Sequence, residues 1–355
     1  MKQITPFLYA VFAISITSEA MAHDGSHPDT VAPPVRAASH APIGVMGDHM
    51  HKTGEWMVSY RYMQGGMEGL REGNDGRDPV QALQTGGNNY RILPTSMTMK
   101  MHMWGAMYAP TDTVTLTLMG AYLDKEMSHT TYAGMAGSAI GGEFTTHSRG
   151  WGDLKVGALT HLWKEGEHAL HANMTLSIPT GSITEQDTVL MPNGQQASRR
   201  MPYGMQLGSG TWDPTIGATY NGRSDAWSWG AQYLATLRPG RNDEGYNLGN
   251  RHAVTAWSAY SFEPGLSLSA RLAAHTQQQI SGADRQIAGP VPTADPRNYG
   301  GEQADVFLGA NIAGQSGLLR NHRLGVEVGL PVYRNLNGLQ LERDWSVTIG
   351  YQYSF

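Results

Sequence analysis

At 355 residues with no cysteine and a formal net charge of −5, the chain has no disulfide or thiolate chemistry and no basic excess for nucleic acid. Charged residues make up only 15%, against about 25% in typical soluble domains. Glycine is abundant at 44, and Tyr (16) and Trp (9) far outnumber Phe (6), a balance suited to a membrane–water interface that meets both ring and polar tip.

In chain order, residues 1–22 carry Lys2, an apolar run from about Phe7 to Ile16, and Ala20-Met21-Ala22. This is the pattern of a secretory signal peptide cleaved after Ala22, and the run is too short for a membrane anchor. Residues 23–54 are rich in His, Met and Pro, and are expected to form a periplasmic tail or a plug of a lumen. Within them His40, Met46, His49, Met50 and His51 are candidate metal ligands, packed most densely in VMGDHMH around Asp48. Imidazole suits several transition metals and thioether favours Cu(I), so a copper ion is the cofactor this wording would suit. No cofactor is otherwise required.

From residue 55 to 355 the signal is period-two alternation. In NHRLGVEVGL, Leu324, Val326, Val328 and Leu330 oppose Arg323, Gly325 and Glu327; LSLSARLAAH and HALHANMTLSI repeat it. About twelve such segments are expected, near 55–63, 97–108, 113–123, 150–162, 168–178, 211–221, 226–238, 252–262, 266–277, 303–313, 321–331 and 344–355. Each is about ten residues long, enough for a tilted strand to cross a bilayer. Short connections with turn chemistry (APTD, KEGE, GRSD, EPG) alternate with long polar ones at 64–96, 124–149, 179–210, 239–251, 278–302 and 332–343. Short periplasmic turns alternating with long external loops define the expected fold class. It is an all-β transmembrane antiparallel barrel of the bacterial outer membrane, with both chain ends on the periplasmic side. The chain stops in mid-strand at SVTIGYQYSF, which implies that the last strand pairs with the first to close the ring. The terminal Phe355 also resembles the signal read by the outer-membrane barrel assembly machinery, so that machinery and outer-membrane lipids are the expected partners.

If apolar faces meet lipid, the lumen receives Arg61, Lys100, His102, Lys155, His161, His171, Arg271, His275, Asp305, Arg323 and Glu327. By the same rule Met97, Met99, Met101 and Met103 are expected to face lipid, with an inward thioether ladder as the alternative. Arg199 and Arg200 in the 179–210 loop are candidate constriction charges, or an exposed pair. No nucleophile–base pair can be named, so an enzyme is not expected.

HAPIGVMGDHMHKTGEWMVSYRYM, MHMWGAMYAPTD, LSIPTGSI, MQLGSGTWD, GRNDEGYNLGNR, VPTADP and HRLGVEVGLPVYRNLNGLQLERDWSVTIGYQYSF together resemble a family of bacterial outer-membrane proteins named for the phenol meta-cleavage degradation pathway. The resemblance runs from about His40 to Phe355. It implies an outer-membrane channel or transporter for small solutes, aromatic compounds among them, and no catalytic residues. The alternative function is a copper- or other metal-binding outer-membrane protein concerned with metal tolerance, carried by the His and Met residues of 40–51.

Overall fold

The computed structural model describes residues 36–84 and 89–355. The signal-peptide reading, and residues 23–35 of the expected tail or plug, which hold His23 and His27, lie outside the described residues.

Trp56–Gly73 (β1) is followed by the short Asp75–Arg77 (β2), one helical turn at Pro79–Leu83 (α1), Ile92–Thr111 (β3) and Val114–Tyr132 (β4). Then come Ile140–Trp151 (β5), Leu154–Glu165 (β6), His168–Ile178 (β7), Gln186–Leu190 (β8) and Gln196–Arg200 (β9). Asp213–Ser224 (β10), Trp227–Thr236 (β11), Tyr246–Asn247 (β12), Arg251–Glu263 (β13) and Leu266–Gln277 (β14) continue the chain. Ser281–Gly282 (β15), Gly301–Ala313 (β16) and His322–Ser354 (β17) end it.

Eleven of these strands, β1, β3, β4, β6, β7, β10, β11, β13, β14, β16 and β17, form an antiparallel ring that closes where β17 meets β1. β2 and β5 join the same sheet outside that ring. The last strand counts for two of the expected twelve segments. Its residues 323–336 pair with β16, and its residues 336–354 pair with β1. The two arms lie side by side, since Ser354 N donates to Asn321 O and Arg323 reaches Gln352. The expected loop 332–343 is therefore strand on both sides of a reversal at Asn337-Gly338, where Gly338 takes φ +63°. Strands also run through parts of 64–96 and 124–149. Beyond the bilayer both faces of a strand meet water or loops, so alternation fades although the ladder continues.

Closure explains the aromatic terminus. Trp56 N donates to Phe355 O at 2.8 Å and Phe355 N to Trp56 O at 2.9 Å, leaving no free edge at the seam. The outer wall exposes Leu116, Leu118, Ile216, Val254, Leu268, Leu308, Leu324 and Val328. Aromatic rings flank this apolar band. Trp56 stacks on Tyr108 and Trp227 packs against Tyr260 near the short turns, while Trp104 meets Trp151 farther along. The exterior is that of a membrane-embedded barrel.

Candidate functional site: the lumen and the segment that crosses it

Residues 36–55 enter the barrel at the short-turn end, where Ala37 N donates to Pro264 O at 2.7 Å. The segment has no regular ladder, so its carbonyls need other donors. The lumen wall supplies them. Arg61 Nε donates to Ile43 O (3.1 Å) from β1, and Arg323 Nη2 to Ala41 O from the arm of β17 that pairs with β16. Across the ring, Gln232 Nε2 donates to Met46 O (2.9 Å), Asn173 Nδ2 to Gly47 O (2.8 Å) and Asn221 Nδ2 to Asp48 O (2.6 Å). His171 Nε2 lies 2.9 Å from the same Gly47 carbonyl. Because β7, β10 and β11 stand opposite β1 and β17 in the ring, residues 41–48 cross the lumen from wall to wall. The chain then returns to the mouth, with His51 N on Thr115 Oγ1 and Thr53 N on Asp112 Oδ1, and enters β1.

The sequence-derived lumen residues fall as follows. Arg61, Lys155, His161, His171, Arg271, His275, Asp305, Arg323 and Glu327 lie on the inner side of the wall. Lys100 and His102 do not. The β1–β3 register sets Tyr62 opposite His102 and Arg61 opposite Met103, so Lys100 and His102 share the outer face with Trp104. His102 Nδ1 lies 2.7 Å from the Tyr60 hydroxyl in that outer layer. Among the inner charges, Arg271 and Glu327 form a two-pronged pair at 2.8 and 2.7 Å, with Glu327 only 1% exposed. Arg271 also lies 3.7 Å above the Phe307 ring. Arg343 approaches Asp305 at 3.6 Å.

The same register turns Met97, Met99, Met101 and Met103 inward, contrary to the lipid-facing expectation. Met63 stands opposite Met101 and Met67 opposite Met97. Met57 and Met107 continue the sector toward the mouth. At the other end Met97 and Met127 pack with Met201 and Met205 from the 179–210 loop. The result is a thioether-lined strip along the inner wall. A cavity of about 300 Å³ beside the crossing segment is lined by Met63, Met67, Met99 and Met101, by Arg343, which stands directly beside Met67 on the neighbouring strand, and by Arg251 and Phe307. One signal in the sequence pointed the right way. Trp104 and Tyr108 share parity with Lys100 and His102, and interfacial aromatics belong on the outer face.

The long-loop end is covered by packed loops. Residues 201–207 fold inward, held where Lys125 Nζ donates to Gly204 O (3.0 Å) and Gln206 O (2.6 Å) and Ser148 Oγ to Met205 O. Arg200 pairs with Asp284 at 2.9 Å and Glu244 at 3.2 Å, so it ties loops to one another, while Arg199 is exposed.

Of the five candidate metal ligands, the structure brings together His40 and His49, on the ingoing and outgoing legs of the crossing segment, and adds Asp48. His40 Nδ1 lies 3.2 Å from His49 Nδ1, which lies 2.9 Å from Asp48 Oδ1. His51 is adjacent, its ring centroid 4.8 Å from that of His49. Burial and the neighbouring His49 hold the His40 imidazole well below its ordinary value, and the same two causes pull His51 down to about 4. Met50 packs instead against Met57, Met107 and Leu159, and Met46 lines a second lumen cavity of about 300 Å³. The histidines face a mouth cavity of about 610 Å³ that also contacts His161 and His171.

Fold and exterior together define an outer-membrane β-barrel. No family model and no curated protein matches the sequence. Among solved structures, the chain is similar to an outer-membrane channel of Pseudomonas putida F1, at TM-score 0.57 and 15% identity over 88% of this chain and all of that one. A Pseudomonas aeruginosa FadL homologue aligns at TM-score 0.47 and 9% identity, over 91% of this chain and 99% of the other. The Pseudomonas putida toluene transporter TodX aligns at 0.42 and 9%, over 85% and 90%.

Proposed function

We propose that the protein is an outer-membrane channel for small, largely apolar solutes, aromatic compounds included. The observation that carries this reading is the inward methionine strip. Thioether side chains are apolar, flexible and polarizable, and they pack favourably against aromatic rings. A purely aqueous pore has no use for such a wall, since lumen faces are ordinarily polar. Arg251 and Arg343, which line the same cavity, suit a polar or acidic substituent on an otherwise apolar molecule. The resemblance to the family named for phenol meta-cleavage supports an aromatic solute, and the barrel of the Pseudomonas putida F1 channel supports a conducting role.

Block of ion current in planar bilayers tests this. Phenol or toluene added to one side should interrupt the current through a chain lacking residues 23–54, and glucose should not. Equal block by glucose, or no block by the aromatics, would overturn the preference for apolar solutes.

A further inference from the structure

We propose that His40, Asp48 and His49 hold a divalent transition-metal ion of borderline softness, such as Zn²⁺ or Cu²⁺, which staples the two legs of the crossing segment together. This goes beyond the solute reading and does not depend on it.

One imidazole nitrogen of His40, one of His49 and one Asp48 oxygen lie within 4.8 Å of one another, with the two Nδ1 atoms 3.2 Å apart and His49 Nδ1 2.9 Å from Asp48 Oδ1. Asp48 is 3% exposed, and its other oxygen Oδ2 is fixed by Ala41 N at 2.9 Å. That is the kind of outer contact that orients a coordinating carboxylate. A carboxylate can only accept, so a single proton on His49 Nδ1 must serve both Asp48 and His40. A cation at that point would satisfy all three. Two further nitrogens, His49 Nε2 and His51 Nε2, are buried with no hydrogen-bond partner among the described residues. His51 stands beside them, its ring centroid 4.8 Å from that of His49 and its Nδ1 3.5 Å from Glu55 Oε2.

The donor set decides the class of metal. Imidazole nitrogen with carboxylate oxygen suits Zn²⁺, Cu²⁺ or Ni²⁺, and the Irving–Williams order places Cu²⁺ tightest. Cu(I) would ask for thioether, yet Met50 is packed into the cluster with Met57, Met107 and Leu159. The large mouth cavity gives an entry path from the short-turn side. His40 and His49 stand nine positions apart, so an ion held by both closes the loop that carries residues 41–48.

Isothermal titration of the full mature chain in detergent with Zn²⁺, and separately Cu²⁺, tests the site. One ion per chain is expected, with affinity lowered at least about tenfold in His40→Ala and His49→Ala. A His23→Ala/His27→Ala variant should bind as the parent does. Heat-modifiable gel mobility checks that each variant is a folded barrel. EPR of the Cu²⁺-loaded parent, which needs no variant, should show coupling to imidazole nitrogen. Absence of binding, binding that survives His49→Ala, loss in His23→Ala/His27→Ala, or an oxygen-only spectrum would each overturn the assignment.

Discussion

Gly44 lies at the apex of the crossing segment, where a Cβ would stand 2.1 Å from Glu327 Oε2 and 2.7 Å from Arg271 Nη2. Any side chain there must split that ion pair or push the segment back toward the mouth. Gly44→Leu should therefore raise single-channel conductance, and a conductance equal to the parent's would show that the apex does not restrict flow. Glu327→Ala removes the partner of a buried guanidinium and should cost about 3–5 kcal/mol, read as a lower denaturant midpoint of the refolded barrel. Glu327→Gln should cost less, since an amide oxygen still accepts. The inner placement of these charges was legible, because alternation alone sends Arg271 and Glu327 away from lipid. Their pairing was not, because the two residues lie 56 positions apart and meet through β16 between their strands. The density of His and Met at 40–51 was equally plain, but the convergence of His40 on Asp48 and His49 depends on a loop conformation with no sequence period.

Among the elements, the short turns and the strand cores declared themselves through turn residues and apolar faces. The methionine row did not, because methionine is at home on either side of a barrel and a register slip of one residue reverses every side chain. Replacing Met63 and Met101 by Gln should lower the occupancy of an apolar solute about fivefold, if on the order of 1 kcal/mol of apolar contact is lost. Titration of tryptophan quenching by a small aromatic compound measures this. The crossing segment carries its own pH dependence. His40 faces His49, Arg323, Asp48 and His51, and His51 faces His49, Glu55 and Asp48. Both are held below the free imidazole value in place, so the released segment binds more protons once the pH drops under about 6.5. Stability of the docked segment is thus present above that value and lost progressively as pH falls toward about 4, where His51 itself titrates. Conductance should accordingly rise between about pH 7 and about pH 5, and a flat profile would contradict the coupling.

The molecule as a whole is a ring closed at Trp56 and Phe355 with a separate chain segment laid across its lumen. The ring was legible in the sequence, since strands with a lipid face leave no edge unpaired within a bilayer. Which loops cover the far end was not, because contacts such as Arg200 with Asp284 join long connections that lack periodicity. Since the β1–β17 seam forms without residues 36–54, the ring should survive their removal and conduct more than the full chain. The most direct test of the lumen as a solute path is uptake of a labelled monoaromatic compound at low concentration. It would be measured in cells whose outer membrane is otherwise a barrier, comparing no barrel, the parent chain and Met63→Gln/Met101→Gln. Uptake faster with the parent chain, and reduced toward the empty cells in the double variant, is the expected result. Uptake no faster than in empty cells, or unaffected by the two substitutions, would contradict passage along the methionine wall.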